Sequence, residues 1–269
     1  MSEPQPVFQN PYFSPAKINL FLHILGRRVD GYHELESLVY FTEFGDYITI
    51  RESDGFDLSF SGPYGDILKQ EAEQQPNLVA KAVKMLEDLS GRRFPLEVHI
   101  EKNIPLSGGL GGGSSNAATV LKAIKNAYDL DHDLTKITSA LGSDLTAFLY
   151  APQPVMMRGT GNEITPLPHD FLPKFHIILD NCGRPCSTAD VYRNFSGATG
   201  HPFTLPDRFL SLDDFIGFLN TQTRNDLTLP ALKICPEIWQ SLKRLKGHPD
   251  NLLTRMSGSG ATCFSIQKA

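Results

Sequence analysis

The chain has 269 residues, of which 41% are hydrophobic, and a net charge of −5. This length can fill one large or two modest hydrophobic cores, and the acidic balance argues against nucleic-acid and membrane-surface partners, because polyanion binding usually requires a basic face. No segment resembles a signal peptide or a membrane span. The four cysteines lack metal-ligand spacing, so we expect reduced structural thiols in a cytoplasmic protein.

The first predicted element is a strand over residues 14–25. Aliphatic side chains alternate with other residue types there, so one face of the strand is apolar. Lys17 and Asn19 fall side by side on the other face, followed by Phe21 and His23. The residues alone leave open whether this second face is an ordinary solvent face or a binding surface.

A turn follows the strand, with Asp30 and Gly31 at its tip. Tyr32 and His33 come directly after it and combine an aromatic face with a ring that can donate and accept hydrogen bonds. Taken alone, the pair is explained better by core or surface packing than by ligand binding.

Two further elements are predicted before the middle of the chain. Asp54 and Gly55 separate two strand-like runs, which predicts a β-hairpin of residues 46–50 with residues 56–60. Apolar residues at helical spacing from Leu78 onwards predict an amphipathic helix, with Asn77 as its cap.

The most unusual segment is a glycine-rich loop at residues 105–115, which has five glycines within six residues. An alternating strand precedes it and a helical pattern follows it. Free backbone N–H groups and the positive end of the helix dipole favour a phosphate at such a loop. The loop matches neither GxxxxGK[ST] nor GxGxxG. A flexible linker is the alternative, and Ser114 or Ser115 could serve as no more than a helix cap.

The third candidate site is the segment Gly142-Ser-Asp144, where one predicted helix ends and another begins. Taken alone, Asp144 is explained better as a helix cap than as a functional carboxylate. Prolines at 152 and 154 mark a predicted domain boundary.

The remainder of the chain alternates between predicted strands and helices. Strands are expected at 155–157, 175–179 and 262–266, and helices near 188–195, 212–219 and 236–246. A second glycine–serine turn, at residues 257–260, leads into the last strand and is typical of a hairpin.

The combination of these motifs resembles the GHMP kinase superfamily. The matching segments are Pro-Ala-Lys-Ile-Asn-Leu (15–20), Asp-Gly-Tyr-His (30–33), the loop with the following Asn-Ala-Ala (105–118), Gly-Ser-Asp (142–144) and Ser-Gly-Ser-Gly-Ala (257–261). The resemblance covers residues 14–264. It implies an α+β fold with two lobes: an N-terminal ATP-binding lobe like ribosomal protein S5 (residues 1–154) and a C-terminal, substrate-side ferredoxin-like α/β sandwich (residues 155–269), apparently shortened at its end.

The resemblance also implies an activity. Segments 17–19 and 31–33 are similar to the branch that acts on a cytidine-diphosphate substrate in non-mevalonate isoprenoid precursor synthesis. The expected reaction is ATP-dependent phosphorylation of the 2-hydroxyl of the methylerythritol moiety, with ATP and Mg²⁺ as cofactors. The expected partner is this small molecule, and nothing in the sequence assigns a metal ligand or an oligomeric state.

Residue roles carry over from the resemblance. Lys17 and Asp144 match the catalytic pair, in which the lysine keeps the carboxylate ionised while Asp144 takes the hydroxyl proton or positions the hydroxyl. The ATP-binding residues are Pro105, Leu106, Ser107, Gly108, Gly109, Leu110, Gly111, Gly112, Gly113, Ser114 and Ser115, with Asn77 on the adenine side. The substrate-binding residues are Asn19, Tyr32, His33, Thr188 and Tyr192.

Two alternatives stay open at this point. One is a GHMP kinase for another small alcohol, such as homoserine or mevalonate, against which Tyr32 and His33 argue. The other is a non-catalytic descendant of the fold, against which the presence of both Lys17 and Asp144 argues. The chain has Asp144-Leu-Thr where the family usually has Asp-Val-Pro, which bears on the local helix geometry.

Overall fold

The structure is a computed structural model that describes residues 7–106, 108–197, 200 and 204–268. Its strands are β1 (Tyr12–Arg27), β2 (His33–Glu52), β3 (Asp57–Ser61), β4 (Leu96–Glu101), β5 (Val155–Gly159), β6 (Glu163–Pro166), β7 (Phe175–Asn181), β8 (Asn251–Met256) and β9 (Thr262–Lys268). Its helices are α1 (Gly65–Gln74), α2 (Leu78–Ser90), α3 (Gly112–Ala127), α4 (Thr135–Leu141), α5 (Ser143–Ala147), α6 (Thr188–Arg193), α7 (Leu212–Gln222), α8 (Thr228–Ile234) and α9 (Ile238–Lys246).

The chain divides into two compact units that are both discontinuous in sequence. The first unit consists of Met1–Ala16, Glu43–Leu106 and Gly111–Leu149, and the second consists of Lys17–Thr42, Ser107–Leu110 and Tyr150–Ala269. Strands β1 and β2 and the glycine-rich loop each have residues in both units. The sequence-based division at residues 154/155 stays a prediction.

In the first unit, β4 pairs with two strands at once. It runs antiparallel to residues 47–52 of β2 and parallel to β3. The predicted hairpin of residues 46–50 with 56–60 is therefore wrong, because β4 separates these two segments. Leu96, Val98 and Ile100 are fully buried, and such an apolar row favours the central position in a sheet.

Helices α2 and α3 pack against each other in the first unit. The predicted cap of α2 is confirmed, because Asn77 Oδ1 accepts a hydrogen bond from Val79 N at 2.8 Å. Gly91 ends the helix with φ +65°, a conformation that glycine adopts without strain. The predicted amphipathic helix is confirmed as well, since Val79 and Leu86 are buried along one side.

In the second unit, the first half of β2 pairs antiparallel with β5, and β5 pairs with β6. Another sheet has the antiparallel order β7-β9-β8, and α9 packs on it. Phe215 and Phe264 are fully buried in this unit. The strands and helices predicted for residues 155–266 are confirmed with small shifts at their ends, whereas β6, β8 and α8 had no predicted range.

A buried arginine fixes β1 within the second unit. Arg255 donates to the carbonyl of Leu20 in β1 at 2.9 Å and to Thr223 Oγ1 at 2.7 Å and Thr223 O at 2.8 Å, and also to the carbonyl of Leu219. Burial lowers the pKa of Arg255 to about 10. These bonds connect β8, β1 and the end of α7 around one guanidinium group, whose five donors suit such a junction.

Two expectations from the composition concern the cysteines and the absence of a membrane span. All four cysteines are free, and Cys182 Sγ lies 3.7 Å from Cys235 Sγ. Among the residues that the structure describes, no helix has both the length and the apolar character needed to cross a membrane. The same residues contain no group of three or more His, Cys, Asp or Glu side chains that could hold a metal ion.

Candidate active site

The second face of β1 is buried. Lys17 is 5% exposed, Asn19 is 2% exposed and His23 is 4% exposed. The solvent-face interpretation of this strand is therefore wrong. Burying a polar side chain without hydrogen bonds costs free energy. The hydrogen-bond partners of these residues therefore indicate the function of this face.

Lys17 and Asn19 begin a chain of hydrogen bonds within the second unit. Lys17 Nζ donates to Asn19 Oδ1 at 2.7 Å, and Asn19 Nδ2 donates to Ser37 Oγ at 2.7 Å. Ser37 Oγ donates in turn to the carbonyl of Phe21 at 2.6 Å. The sequence predicted that Lys17 and Asn19 lie side by side, which is confirmed, whereas Ser37 carried no recognisable signal.

The glycine–serine turn between β8 and β9 lies against the same two residues. Asn19 N donates to Ser257 Oγ at 3.2 Å, and Ser257 Oγ donates to the carbonyl of Gly109 at 3.5 Å. At Gly258, where φ is +56°, a Cβ atom would lie 3.2 Å from Asn19 Oδ1 and 3.7 Å from Lys17 Nζ. A side chain at this position would therefore press on the Asn19 amide oxygen, whereas its contact with Lys17 Nζ would be an ordinary van der Waals one.

Asn225 holds the shape of this turn. Its Nδ2 donates to the carbonyls of Met256 and Gly258, both at 2.8 Å, and its Oδ1 accepts from Leu227 N at 2.9 Å. A buried amide with donors and acceptor all occupied gives a segment one preferred geometry. No motif in the sequence indicated this role.

Part of the glycine-rich loop belongs to the same cluster. The carbonyl of Leu110 accepts from Lys17 N at 2.9 Å, and the carbonyl of Gly108 accepts from Thr262 N at 3.3 Å. Gly109 has φ +72°, and a Cβ atom there would lie 2.8 Å from the carbonyl oxygen of Gly260. Of the predicted loop residues, Leu110 thus contacts the predicted lysine, while Gly108 and Gly109 contact the segment 257–262. Ser107, which the sequence analysis also assigned to ATP, lies outside the described residues.

Loop residues 111–115 lie in the first unit, at the start of α3. Gly111 is the N-cap residue with φ +69°, and the helix begins at Gly112. Ser114 and Ser115 therefore lie in the first turn, and the cap interpretation of these serines is wrong. A Cβ atom at Gly112 would meet Lys102 Nζ at 2.7 Å, whereas one at Gly113 would meet nothing within 4 Å. Gly112 faces the protein interior and Gly113 faces open space.

A buried ion pair supports this helix start. Asp46, which is fully buried, lies 2.5 Å from Lys102 Nζ and also accepts hydrogen bonds from Asn103 N at 2.7 Å, Ile104 N at 2.8 Å and Asn116 Nδ2 at 2.9 Å. Burial lowers the pKa of Lys102, while Asp46 opposes the shift. The carboxylate thus joins the segment before the loop to α3. Sequence reasoning missed it, because neither residue belongs to a recognisable motif.

Asp144 lies in the first turn of α5 and is partly exposed. The N-cap residue of this helix is Gly142, which makes no side-chain cap hydrogen bond. The interpretation of Asp144 as a helix cap is therefore wrong.

Three further residues predicted for the ATP site also lie in the first unit. Pro105 and Leu106 are on the strand side of the loop, and Asn77 is at the start of α2.

An aromatic group forms around His33 in the second unit. The rings of His33 and Tyr192 are 5.4 Å apart at 36°, and the ring of Phe195 lies 5.8 Å from His33 nearly edge-on. Partial burial, with a smaller contribution from Arg27, lowers the pKa of His33 and favours its neutral form. Tyr32 is 67% exposed. The sequence analysis did not assign Phe195 to this group, and the structure places Phe195 two residues beyond the end of α6.

Thr188 connects this side of the unit to the glycine–serine turn. Its Oγ1 lies 2.8 Å from Ser259 Oγ. The predicted substrate residues Asn19 and Thr188 therefore both contact the turn at residues 257–260, and His33 and Tyr192 contact each other. The arrangement offers an oriented ammonium group, a tight glycine backbone and aromatic rings that are exposed at Tyr32 and partly buried at His33 and Tyr192.

This chain is similar in sequence and fold to proteins of known activity. A profile described as "GHMP kinases N terminal domain" matches residues 77–151. The crystal structure of a 4-(cytidine 5′-diphospho)-2C-methyl-D-erythritol kinase resembles this chain with a TM-score of 0.73 and 30% identity, covering 95% of this chain and 89% of that chain. A homoserine kinase from Cytophaga hutchinsonii has a TM-score of 0.64 at 17% identity, which shows a shared fold alone.

Curated relatives give a finer assignment. The 4-diphosphocytidyl-2-C-methyl-D-erythritol kinase of Parvibaculum lavamentivorans is 40% identical over 262 residues, covering 94% of this chain and 87% of the relative. The protein of the same name from Granulibacter bethesdensis is 39% identical over 266 residues, covering 97% and 86%. The fold and the site define a small-molecule kinase of the GHMP class. Within that class, the chain belongs to the 4-diphosphocytidyl-2-C-methyl-D-erythritol kinase family.

The expectations of an α+β GHMP kinase fold and of a small-molecule kinase are thereby confirmed. The alternative of a GHMP kinase for another alcohol loses its support, since the relatives that cover nearly the whole chain are named for the cytidine-diphosphate substrate.

Proposed function

We propose that this chain transfers the γ-phosphoryl group of ATP to the 2-hydroxyl of 4-diphosphocytidyl-2-C-methyl-D-erythritol, giving the 2-phosphate and ADP in non-mevalonate isoprenoid precursor synthesis. The observation that carries the proposal is the buried ammonium of Lys17, which Asn19 orients within a cluster that includes Gly108, Gly109 and Leu110 of the glycine-rich loop. Kinases need positioned charges rather than covalent chemistry from the protein.

The ATP phosphates bind at the loop and at the start of α3. The 16-residue helix supplies a positive dipole end and free backbone N–H groups in its first turn. The open space at Gly113 leaves room for a phosphate oxygen to approach those groups. Pro105, Leu106, Ser107, Ser114 and Ser115 complete the proposed ATP site, and Asn77 contributes on the adenine side. Because Asn77 Oδ1 is engaged at the cap of α2, its Nδ2 is the group we assign to the nucleotide.

Lys17 and Asp144 carry the chemistry in this proposal. Lys17 stabilises the charge that spreads over the transferring phosphoryl group. Asp144, with a partly exposed side chain at the start of α5, takes the proton from the substrate hydroxyl as it attacks.

Mg²⁺ accompanies ATP in this proposal. The described residues contain no group of three or more His, Cys, Asp or Glu side chains suited to a metal ion. Mg²⁺ usually keeps several waters and is bound through substrate phosphates and one or two carboxylates. When bound, the ion neutralises charge on the β- and γ-phosphates.

The aromatic group binds the cytosine. Tyr32 offers an exposed face and Tyr192 a partly buried one. Partial burial lowers the pKa of His33 and so favours its neutral form, which has one ring donor and one ring acceptor for the edge of the base. Thr188 and Asn19 line the substrate side near the turn at 257–260. The cytoplasmic location expected from the sequence stays a prediction.

An assay of ADP release tests the proposal. The wild type is given ATP, Mg²⁺ and one of three alcohols: the cytidine-diphosphate substrate, homoserine or mevalonate. We expect turnover with the first alone, and phosphorus NMR of the product should show a new phosphomonoester on the 2-hydroxyl. Asp144→Asn should reduce kcat by about 10²–10⁴-fold. Comparable turnover of homoserine or mevalonate would contradict the substrate assignment, and absent turnover with all three would contradict the activity.

A further inference from the structure

Ser37 stands out among the buried residues of the second unit, because it contacts the catalytic region without belonging to any motif. It lies on β2 opposite Met157 of β5 and is fully buried. Its hydroxyl group connects two parts of β1, the carbonyl of Phe21 and the side chain of Asn19. Burying a hydroxyl group costs free energy unless the group is hydrogen-bonded. The two partners of Ser37 remove this cost.

The direction of every hydrogen bond in this chain of groups is fixed by chemistry. The carbonyl of Phe21 can only accept, so the single hydroxyl hydrogen of Ser37 points to it across 2.6 Å. Ser37 Oγ must then accept from Asn19, which requires the amide nitrogen on that side, at 2.7 Å. The amide oxygen of Asn19 consequently faces Lys17 Nζ at 2.7 Å, and an ammonium group can only donate.

The backbone of Asn19 is held as firmly as its side chain. Its N–H donates to Ser257 Oγ at 3.2 Å, and Lys17 N donates to the carbonyl of Leu110 at 2.9 Å. With both backbones fixed, rotation of the Asn19 amide by half a turn would break the contact without any movement of the main chain. That rotation would present an NH₂ group to the ammonium of Lys17, which is repulsive. Ser37 is the group that opposes it.

We propose that Ser37 is a positioning residue for phosphoryl transfer, which holds the Asn19 amide with its oxygen towards Lys17 and thereby fixes the ammonium group. This inference rests on the proposed function, because it assigns to Lys17 the role of stabilising the transferring phosphoryl group. A misplacement of about 1 Å can slow such a step by about 10²-fold.

Steady-state kinetics of Ser37→Ala give the first test. We expect kcat to fall about 10- to 100-fold, while KM for ATP and for the cytidine substrate changes by less than about threefold, because no substrate contact is removed. Ser37→Thr keeps the hydroxyl group and should recover most of kcat. Ser265→Ala is the matched control, since Ser265 is also a fully buried serine on a strand of this unit and donates to Asn251 Oδ1 at 2.9 Å; it should leave kcat unchanged.

A double-mutant cycle with Asn19→Ala separates positioning from general destabilisation. If Ser37 acts through Asn19, then Ser37→Ala should lower kcat no further in the Asn19→Ala background. An equal loss in both backgrounds would overturn the proposal, as would a Ser37→Ala variant with wild-type kcat. Where Ser37→Ala does not fold, Ser37→Cys provides the same comparison, because a thiol is only a weak donor and acceptor.

A readout without substrate distinguishes this inference from the proposed function. The rate of reductive methylation of Lys17, followed by mass spectrometry, should rise roughly two- to tenfold in Ser37→Ala, the equivalent of one hydrogen bond, and should be unchanged in Ser265→Ala. An unchanged rate at Lys17 in Ser37→Ala would overturn the positioning role even in an active kinase. An increased rate in a chain that turned over none of the alcohols would support the positioning and contradict the activity.

Discussion

The buried face of β1 and the aromatic group around His33 lie in the same compact unit and are built in opposite ways. Lys17 and Asn19 are 5% and 2% exposed, and hydrogen bonds to fully buried Ser37 and to Ser257 hold them in one arrangement. The aromatic group has ring contacts at 5.4 and 5.8 Å instead of a hydrogen-bond network, and nearby Tyr32 is 67% exposed.

The difference separates two tasks of the proposed kinase. A fully satisfied polar network in a buried site has one geometry before any substrate arrives, which is what charge stabilisation in a transition state requires. A ring with a solvent-accessible face gains a stacking partner there only when a flat base binds. Changes at β1 should therefore act mainly on kcat, and changes at the aromatic group should act mainly on substrate affinity.

The largest effect is expected for Lys17→Met, which keeps a long side chain and removes the charge. We expect kcat to fall by about 10²–10³-fold, the range seen for loss of one donor to a developing charge. ATP affinity from calorimetry should change little. Lys246→Met, at the exposed end of α9, is the control and should match the wild type. A Lys17→Met variant with near-normal kcat would remove the distinction between the two regions.

On the aromatic side, Tyr32→Ala should weaken the cytidine substrate by about 1–3 kcal/mol, by analogy with bases that stack on aromatic side chains. The effect should appear in KM, with ATP affinity unaffected, because the loop and the helix start that we propose for the phosphates contain no part of this group. Equilibrium binding of the cytidine substrate with and without Tyr32 measures it. An effect confined to kcat would show that the aromatic group belongs to the rigid part of the site.

The burial of β1 also predicts a dependence of stability on pH. Burial, followed by repulsion from Arg224 and Arg255 and opposed by Asp226, lowers the pKa of His23 to about 4. The unfolded chain, with an ordinary pKa near 6.5, thus binds more protons between these values than the folded chain. The stabilisation is complete above about pH 6.5 and is lost as the pH falls towards 4.

Urea unfolding at pH 7 and pH 5 measures this loss for the wild type and for His23→Gln, whose amide oxygen can still accept from Arg224 N as His23 Nε2 does at 3.1 Å. The wild type should lose about 2 kcal/mol more than the variant on going to pH 5. Equal losses in the two proteins would mean that this face of β1 admits water.

The smallest effect is expected at the turn that approaches Lys17. Gly258→Ala places a Cβ atom 3.2 Å from Asn19 Oδ1 at φ +56° and should lower kcat by about 3- to 10-fold. Gly91→Ala has a similar φ of +65° with nothing within 4 Å of the added atom, so it controls for backbone strain. Both variants should lose about 1 kcal/mol of unfolding free energy. Equal kcat values in the two would mean that the turn does not constrain the amide.

Local patterns in the sequence accounted for a large part of this fold. Alternation identified β1, helical spacing and Asn77 identified α2, and the glycine-rich loop was correctly placed between a strand and a helix. These features depend on neighbours within a few residues. The insertion of β4 between β2 and β3 does not, because strand pairing depends on a segment about 40 residues further along the chain.

The candidate site shows the same division between local and distant causes. Lys17 and Asn19 were found from their spacing, but their burial depends on the turn at 257–260, more than 200 residues away in sequence. The sequence alone gives no reason to assign different roles to the five glycines of the loop. The structure separates Gly112, which faces Lys102, from Gly113, which faces open space. Ser37 and Asn225 are ordinary residues in the sequence, since only their partners give them a role.

The most direct test of this account compares two substrates that differ in one base. The kcat/KM of the wild type is measured for 4-diphosphocytidyl-2-C-methyl-D-erythritol and for its counterpart with uracil in place of cytosine. Groups positioned for the amino edge of cytosine would be left unpaired by uracil, so we expect a preference of at least about tenfold for the cytidine substrate. Equal kcat/KM values for the two would contradict the assignment of His33 and its neighbours to the base, and with it the proposed substrate.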